Sequence, residues 1–204
     1  MQNFGKALNV CIMEAETFLT IACASQGIYK EKGSKFIAYA YPVKDEDEVK
    51  EKVNGLRKKY FDARHHCYAY RLGADGGLYR ANDDGEPAHS AGRPILGQLT
   101  ALGVTNVLVV VVRYFGGILL GTSGLAAAYK QAAANALANA EILTNTVTEN
   151  CQLTFEYQKM NKVLKIVKDM KLDYTMFKGD TNFTIDIKAR KSLINQMQNR
   201  LLSV

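Results

Sequence analysis

The sequence predicts an α+β protein in two parts, and three observations predict it. Val107 to Val112 is an unbroken run of Val and Leu, which fits a central strand covered on both faces. Around it, strand-like alternations joined by polar turns are interleaved with segments of helical period. From Cys151 a new alternation starts, and the elements then follow the order βαββα, which suits a small α+β sandwich. The expected boundaries are residues 17–143 for the first domain, 144–150 for a linker and 151–204 for the second. Residues 1–16 are left as an unassigned extension, with Met13 an alternative start.

In chain order, Thr17–Ala24 and Gln26–Lys30 read as short strands. The polar turn Glu31-Lys32-Gly33-Ser34 leads into Phe36–Tyr41 and makes a hairpin. Asp45–Tyr60 places Val49, Val53, Leu56 and Tyr60 at helical spacing, with acids at its start and Arg57-Lys58-Lys59 at its end, so both charge blocks complement the helix dipole. His66–Leu72 and Leu78–Ala81 flank a Gly/Asp-rich turn and form a second hairpin. Pro94–Leu102 carries Ile95, Leu96, Leu99 and Leu102 on one helical face, with Pro94 suited to a first turn. Beyond the central strand, a glycine-rich loop enters a helix over Leu125–Leu143, where nine of the fifteen residues 126–140 are Ala. Thr122 and Ser123 are expected to cap it, and Lys130, Gln131, Asn135 and Asn139 give it a polar face.

The tail reads as strand Gln152–Tyr157, helix Lys159–Met170, strand Leu172–Phe177, turn Lys178-Gly179-Asp180, strand Thr181–Ala189 and helix Lys191–Leu202. In its first helix the expected apolar stripe is Met160, Val163, Leu164 and Val167. The chain carries 26 Lys and Arg against 20 Asp and Glu. Divided near residue 145 these are 16 against 14 and then 10 against 6, so the tail is the more basic part. That surplus makes anionic partners plausible. No apolar run approaches the ~18–20 residues of a membrane-spanning helix. Four scattered Cys without a C-x-x-C pair suit a reducing, cytoplasmic compartment and argue against a zinc site.

Catalytic motifs mostly fail on inspection. Gly116 to Thr122 lacks the Lys that a phosphate-binding loop of the Walker type needs. Gly121-Thr122-Ser123-Gly124 is not a nucleophile elbow. His65 and His66 are adjacent in a strand and face opposite sides, which spoils them as joint metal ligands. Cys67 reads as a small buried hydrophobe rather than a thiolate nucleophile. Asp83, Asp84 and Glu86 suit either turn chemistry, bonding backbone N–H groups or pairing with Arg80 or Arg93, or Mg²⁺ and acid/base work. An Arg stands near each of two helix starts, Arg93 before Pro94 and Arg113 before the glycine loop. Helix N-termini with Arg make anion sites. The alternative, equally supported, is that the glycines permit a tight turn while Arg113 pairs with the acidic loop.

Lys32-Gly33-Ser34-Lys35-Phe36, Ala63-Arg64-His65-His66-Cys67-Tyr68-Ala69-Tyr70, Asp83-Asp84-Gly85-Glu86-Pro87, Ala91-Gly92-Arg93-Pro94-Ile95-Leu96 and Val112-Arg113-Tyr114-Phe115-Gly116-Gly117, with Leu120-Gly121 and Gly124-Leu125, resemble the IMPACT family and its bacterial YigZ-like members. The match runs in order over residues 17–143, and the βαββα tail is similar to the second domain usual in the bacterial proteins. The resemblance implies an N-terminal ribosomal protein S5 domain 2-like fold and a C-terminal ferredoxin-like domain, both associated with ribosome or RNA contact. Eukaryotic relatives act through a protein-kinase stress pathway that depends on an additional N-terminal protein-binding domain, and that pathway is not carried over. Two departures stand out: Ala88-His89-Ser90 where the family commonly reads Ser-Gly-Thr, and Thr122-Ser123-Gly124 where it often reads Thr-Gly-Gly.

Together these readings favour a non-catalytic, cytoplasmic, translation-linked protein that binds RNA or a ribosome-associated partner, with no cofactor, metal or membrane. Lys35, Arg64, Arg93 and Arg113 are the expected phosphate contacts. Gly116, Gly117 and Gly121 let backbone approach the ligand at the loop before Thr122 and Ser123, and Tyr114 or Phe115 stacks on a base. The first alternative is a small-molecule phosphotransfer enzyme or hydrolase that uses the glycine loop, with Asp84 and Glu86 on Mg²⁺. The second is a protein-interaction module that uses the Ala-rich helix face.

Overall fold

The computed structural model describes residues 17–179 and 182–202. The expected extension over residues 1–16 therefore lies outside the described residues, as do Asp180 and Thr181. The chain divides into two compact units, Thr17–Thr146 and a second beginning at Val147.

In the first unit the strands are β1 (Thr17–Ile21), β2 (Ser25–Glu31), β3 (Ser34–Pro42), β4 (His65–Leu72), β5 (Leu78–Asn82), β6 (Val107–Tyr114) and β7 (Ile142–Thr146). The helices are α1 (Glu46–Lys59), α2 (Gly92–Leu102) and α3 (Gly121–Ala138). Five strands form one sheet in the order β2-β3-β6-β4-β5, with every neighbouring pair antiparallel. Central β6 is buried along Val107–Arg113, and its period-2 alternation divides the core. Val107, Val109 and Val111 join the core cluster that contains the α2 and α3 side chains. Leu108, Val110 and Val112 join the cluster of Val49, Val53 and Leu56 from α1. The apolar run thus serves two cores at once, which is why it has no polar alternation.

Helix α3 lies tight on the sheet because its inward residues are small: Ala128, Ala132, Ala133 and Ala136 are at most 1% exposed. Its expected polar face has a definite use. Asn135 Nδ2 donates to the Ile28 carbonyl at 3.0 Å and Asn139 Nδ2 to the Gln26 carbonyl at 2.8 Å, and Ser25 Oγ donates to the Ala136 carbonyl at 2.7 Å. Edge strand β2 is bonded by these side chains, which blunts it against pairing with another chain. These four Ala residues belong to the core, while Ala127 and Ala138 on the same helix remain exposed.

Several boundaries differ from the expectation. The Ala-rich helix starts at Gly121 and stops at Ala138 instead of spanning Leu125–Leu143. Ile142, Thr144 and Thr146 are β-branched and favour extended backbone, and β7 pairs antiparallel with β1. Thr122 and Ser123 sit inside the first turn, and Leu120 takes the N-cap position without a side-chain bond. Helix α2 begins at Gly92, so Pro94 is its third residue, a position where no intrahelical N–H bond is lost. The expected linker shrinks to Val147 and Thr148, because β7 runs to Thr146 and the next strand starts at Glu149.

The second unit comprises β8 (Glu149–Glu156), α4 (Met160–Asp169), β9 (Tyr174–Lys178), β10 (Asn182–Ala189) and α5 (Lys191–Leu202). Its antiparallel sheet has the order β8-β10-β9. The core joins Phe155, Ile185 and Ile187 of the sheet to Val163 and Val167 of α4 and to Ile194 and Met197 of α5. Ile166 packs against it where Leu164 was expected. Among the described residues no helix is long and apolar enough to cross a membrane.

The closeness of α3 to β2 gives a stability prediction. A Cβ on Gly27 would stand 2.3 Å from the Ala136 nitrogen and 2.6 Å from the Asn135 carbonyl carbon. Gly27→Ala therefore costs about 1–3 kcal/mol through forced displacement of the helix. Gly97, inside α2 with nothing within 4 Å of an added Cβ, gains about 0.5–1 kcal/mol as Ala from helix propensity. Urea unfolding of the two variants should show midpoints moving in opposite directions, and an unmoved Gly27→Ala midpoint would mean that α3 can retreat freely.

Candidate functional site

Antiparallel pairing brings the expected site residues to one end of the five-stranded sheet. Lys35 pairs with Tyr114, and Arg113 pairs with both Phe36 and His65, so the starts of β3 and β4 meet the end of β6. The β5–α2 loop carrying Asp83, Asp84 and Glu86 closes the same end by bonding to His65, His66 and Cys67 of β4. The alternation that splits the core also splits this end. Arg113 continues the row of Val109 and Val111 toward α2 and α3, with His65 and Cys67 beside it. His66 and Tyr114 point toward α1.

Each acid of the loop is consumed internally. Asp83 Oδ1 accepts the N–H groups of Ala91 at 3.0 Å and Gly92 at 2.8 Å, and its Oδ2 accepts that of His89 at 2.9 Å. The N-cap of α2 is Ala91, which has no side-chain acceptor, so Asp83 caps the helix from eight residues upstream. Burial by itself would raise the Asp83 carboxyl, but the three N–H donors outweigh it and hold it below the ordinary carboxylate range. Asp84 accepts from Arg57 at 2.7 Å with Oδ1 and from the His66 N–H at 2.7 Å with Oδ2. Its carbonyl meets His65 Nδ1 at 2.9 Å. A carbonyl only accepts, so Nδ1 carries the His65 proton.

Glu86 and Arg113 form a buried ion pair, 2.6 Å apart, with side chains 4% and 7% exposed. Tyr129 of α3 donates to the same Glu86 oxygen at 2.8 Å, and Cys67 Sγ donates to Tyr129 Oη at 3.3 Å and to the Asp83 carbonyl at 3.0 Å. The network ties β4, β6, α3 and the loop together. The Arg113 guanidinium lies over two rings, 5.6 Å from the centroids of Phe36 and of Phe115. Stripping either partner leaves a buried charge, a cost of about 3–5 kcal/mol. Burial raises the Cys67 thiol well above its usual value, more than its bond to Tyr129 lowers it. The thiol stays protonated at neutral pH, which removes Cys67 as a nucleophile.

These contacts sort the expected residues. The acids pair with Arg57 and Arg113, not with Arg80 or Arg93. Both Asp84 oxygens already accept from donors, whereas the donors to Glu86 converge on its Oε1, and among the described residues no group of three or more potential ligands gathers around a metal position. Arg113 is in the core and contacts Glu86 rather than facing solvent. Tyr114 is committed too: its hydroxyl donates to Asp62 at 2.7 Å and its ring packs edge-on against Tyr60 at 6.5 Å. Arg64, Arg93, Phe115, Gly117, Gly121, Thr122 and Ser123 are exposed, while Lys35 and Gly116 are partly so. Gly116 is glycine because the β2–β3 turn presses on it. An added Cβ would fall 1.9 Å from the Gly33 carbonyl carbon, and the Gly116 N–H donates to Ser34 Oγ at 3.1 Å. That contact places Lys32 and Lys35 beside the glycine loop.

Sequence reading missed Arg57 and Tyr129 as members of the site. Arg57 reads as a dipole-matched helix end and Tyr129 as one aromatic in an Ala-rich helix, and nothing local marks either as a partner of the acidic loop. One departure from the family pattern gains a physical meaning. His89 has φ +65°, the left-handed region that glycine occupies freely, and the family commonly has Gly there.

The Asp83 cap makes stability depend on pH in a stated direction. Because its folded value lies below the unfolded one of ~3.9, its charge contributes stability that is present above about pH 4 and lost as pH falls through the folded value. In urea unfolding, wild type should be more stable than Asp83→Asn at pH 6, with the gap closing at pH 3. A gap of constant size would show that the charge has no part in the cap.

Comparison with known proteins accords with this arrangement. The Impact N-terminal domain profile matches residues 32–137, which hold all the site residues named above. The IMPACT family member YigZ of Escherichia coli (strain K12) is 37% identical over 150 residues, spanning 72% of this chain and 74% of that protein. The IMPACT family member YvyE of Bacillus subtilis (strain 168) is 31% identical over 147 residues, spanning 72% of this chain and 68% of that one. A crystal structure of a hypothetical protein superposes with a TM-score of 0.73 at 30% identity, covering 93% of each chain. With a domain profile over half its length and relatives over most of it, the chain belongs to the IMPACT family as a YigZ-like member.

Proposed function

We propose that this chain is a non-catalytic, cytoplasmic, translation-linked protein that binds RNA, free or on a ribosome-associated partner, through the end of its five-stranded sheet. The first unit is read as a ribosomal protein S5 domain 2-like fold, supported by the family match. The second is read as ferredoxin-like, supported by its βαββα order and its strand order β8-β10-β9, which is first, third, second in chain order.

One observation carries the functional reading. At this end every carboxylate of the acidic loop turns inward to a donor, while among the described residues Lys32, Lys35, Arg64 and Arg93 form no ion pair. The outward surface is therefore cationic although the first 145 residues come near to balance, with 16 bases and 14 acids. Such a surface suits a phosphate backbone. Arg113, an expected contact, serves here by neutralising Glu86.

The test is binding of a short labelled RNA and of ribosomes across a salt series, with a Lys35→Ala/Arg64→Ala/Arg93→Ala variant alongside. Each phosphate contact on a single strand contributes about 0.7 to the slope of log K against log salt, so the variant should lose about 2 from that slope. Binding that ignores salt, or a variant with the wild-type slope, would overturn the reading.

A further inference from the structure

We propose that Phe115 is a base-stacking platform, so that the RNA taken at this end is single-stranded; the inference rests on the reading of this end as an RNA contact. Phe115 follows a strand whose residues Val107 to Val112 are completely buried, yet it is 55% exposed. Its ring is nevertheless held in place. The Arg113 guanidinium lies over it, and that guanidinium is fixed in turn by Glu86 and by the fully buried Phe36. The next residue, Gly116, is anchored to the β2–β3 turn by its N–H bond to Ser34. A ring fixed from behind and open in front loses little freedom when a base settles on it.

The surroundings supply the rest of a single-strand site. Lys32 stands on the turn against which Gly116 packs, so a cation is at hand for the phosphate of a stacked base, while Lys35 pairs with Tyr114 and shares its face of the sheet. Tyr114, the other aromatic candidate, is withdrawn to the α1 side by Asp62 and Tyr60. Duplex RNA keeps its base faces in its own stack and offers only backbone and groove edges, which a lone ring on a loop cannot use. Ile118 and Leu119, 55% and 84% exposed on the same loop, widen the apolar surface next to Phe115.

The experiment uses the full chain, a short fluorescein-labelled oligouridylate, the same strand annealed to its complement, and the matching oligothymidylate. The single strands should bind more tightly than the duplex. Phe115→Ala should weaken single-strand binding by roughly 5- to 150-fold, the range for loss of one stacked base, without changing the salt slope. Phe115→Trp introduces the only Trp of the chain; it should keep the affinity, and its fluorescence should be quenched on binding. A preference for oligouridylate over oligothymidylate would assign the site to RNA, and equal affinities would overturn that restriction. Equal binding of duplex and single strand, unchanged affinity in Phe115→Ala, or no quenching would overturn the platform while leaving the salt-dependent contact standing. Lost ribosome association in Phe115→Ala with unchanged oligonucleotide affinity would also overturn it, in favour of a protein ligand. No binding of any strand at low salt would overturn both readings together.

Discussion

An arginine at the end of the most buried strand of a protein needs a counter-charge within reach, because an unmatched charge in an apolar core costs several kcal/mol. Arg113 finds it in Glu86, and most of the candidate site is arranged around that requirement. To bring the carboxylate in, the β5–α2 loop folds back over β4, where Asp84 bonds Arg57 and the His66 N–H. The same turn puts Asp83 at the start of α2, where it bonds the N–H groups that Ala91 leaves uncapped. Tyr129 adds α3 to the pair. One buried ion pair thus sets the positions of a loop, two helices and the rings on either side of its guanidinium.

The consequence for function is a separation of charge by depth. Glu86 is buried on internal donors and the half-buried Asp83 and Asp84 are already bonded, while the cations of the neighbouring turns and helix start stay outside. Counting charges along the segment gives near balance, whereas the surface it builds does not balance. The pair also connects stability to recognition, since the guanidinium that neutralises Glu86 is the one that seats the Phe115 ring. A buried pair of this kind contributes little net stability compared with apolar residues of the same size; what it contributes here is orientation.

Much of the fold was legible in the sequence because it rests on local periodicity. The Val107–Val112 run identified the central strand, the alternations on either side identified both hairpins, and the 3.6-residue spacing identified α1, α2 and α4. Where an outcome depended on distant residues, the pattern had nothing to offer. The Ala-rich helix stops at Ala138 because Ile142–Thr146 pairs with Thr17–Ile21, more than a hundred residues away. The role of Arg113 was left evenly divided between phosphate contact and partner of the acidic loop, and 27 residues separate it from Glu86. Likewise Tyr114 and Phe115 are equivalent in sequence, and only the side of the sheet each one faces distinguishes them.

The central claim, that Arg113 belongs to the core and not to the ligand, is tested most directly by the double variant Glu86→Gln/Arg113→Met. The amide oxygen of Gln keeps an acceptor for Tyr129, and a Met side chain is apolar enough to lie between Phe36 and Phe115. The measurement is the salt slope of RNA binding by this variant. The account predicts a folded protein with the wild-type slope, because no phosphate contact has been removed. A folded variant whose slope falls by about 0.7 would place Arg113 on a phosphate and contradict the account.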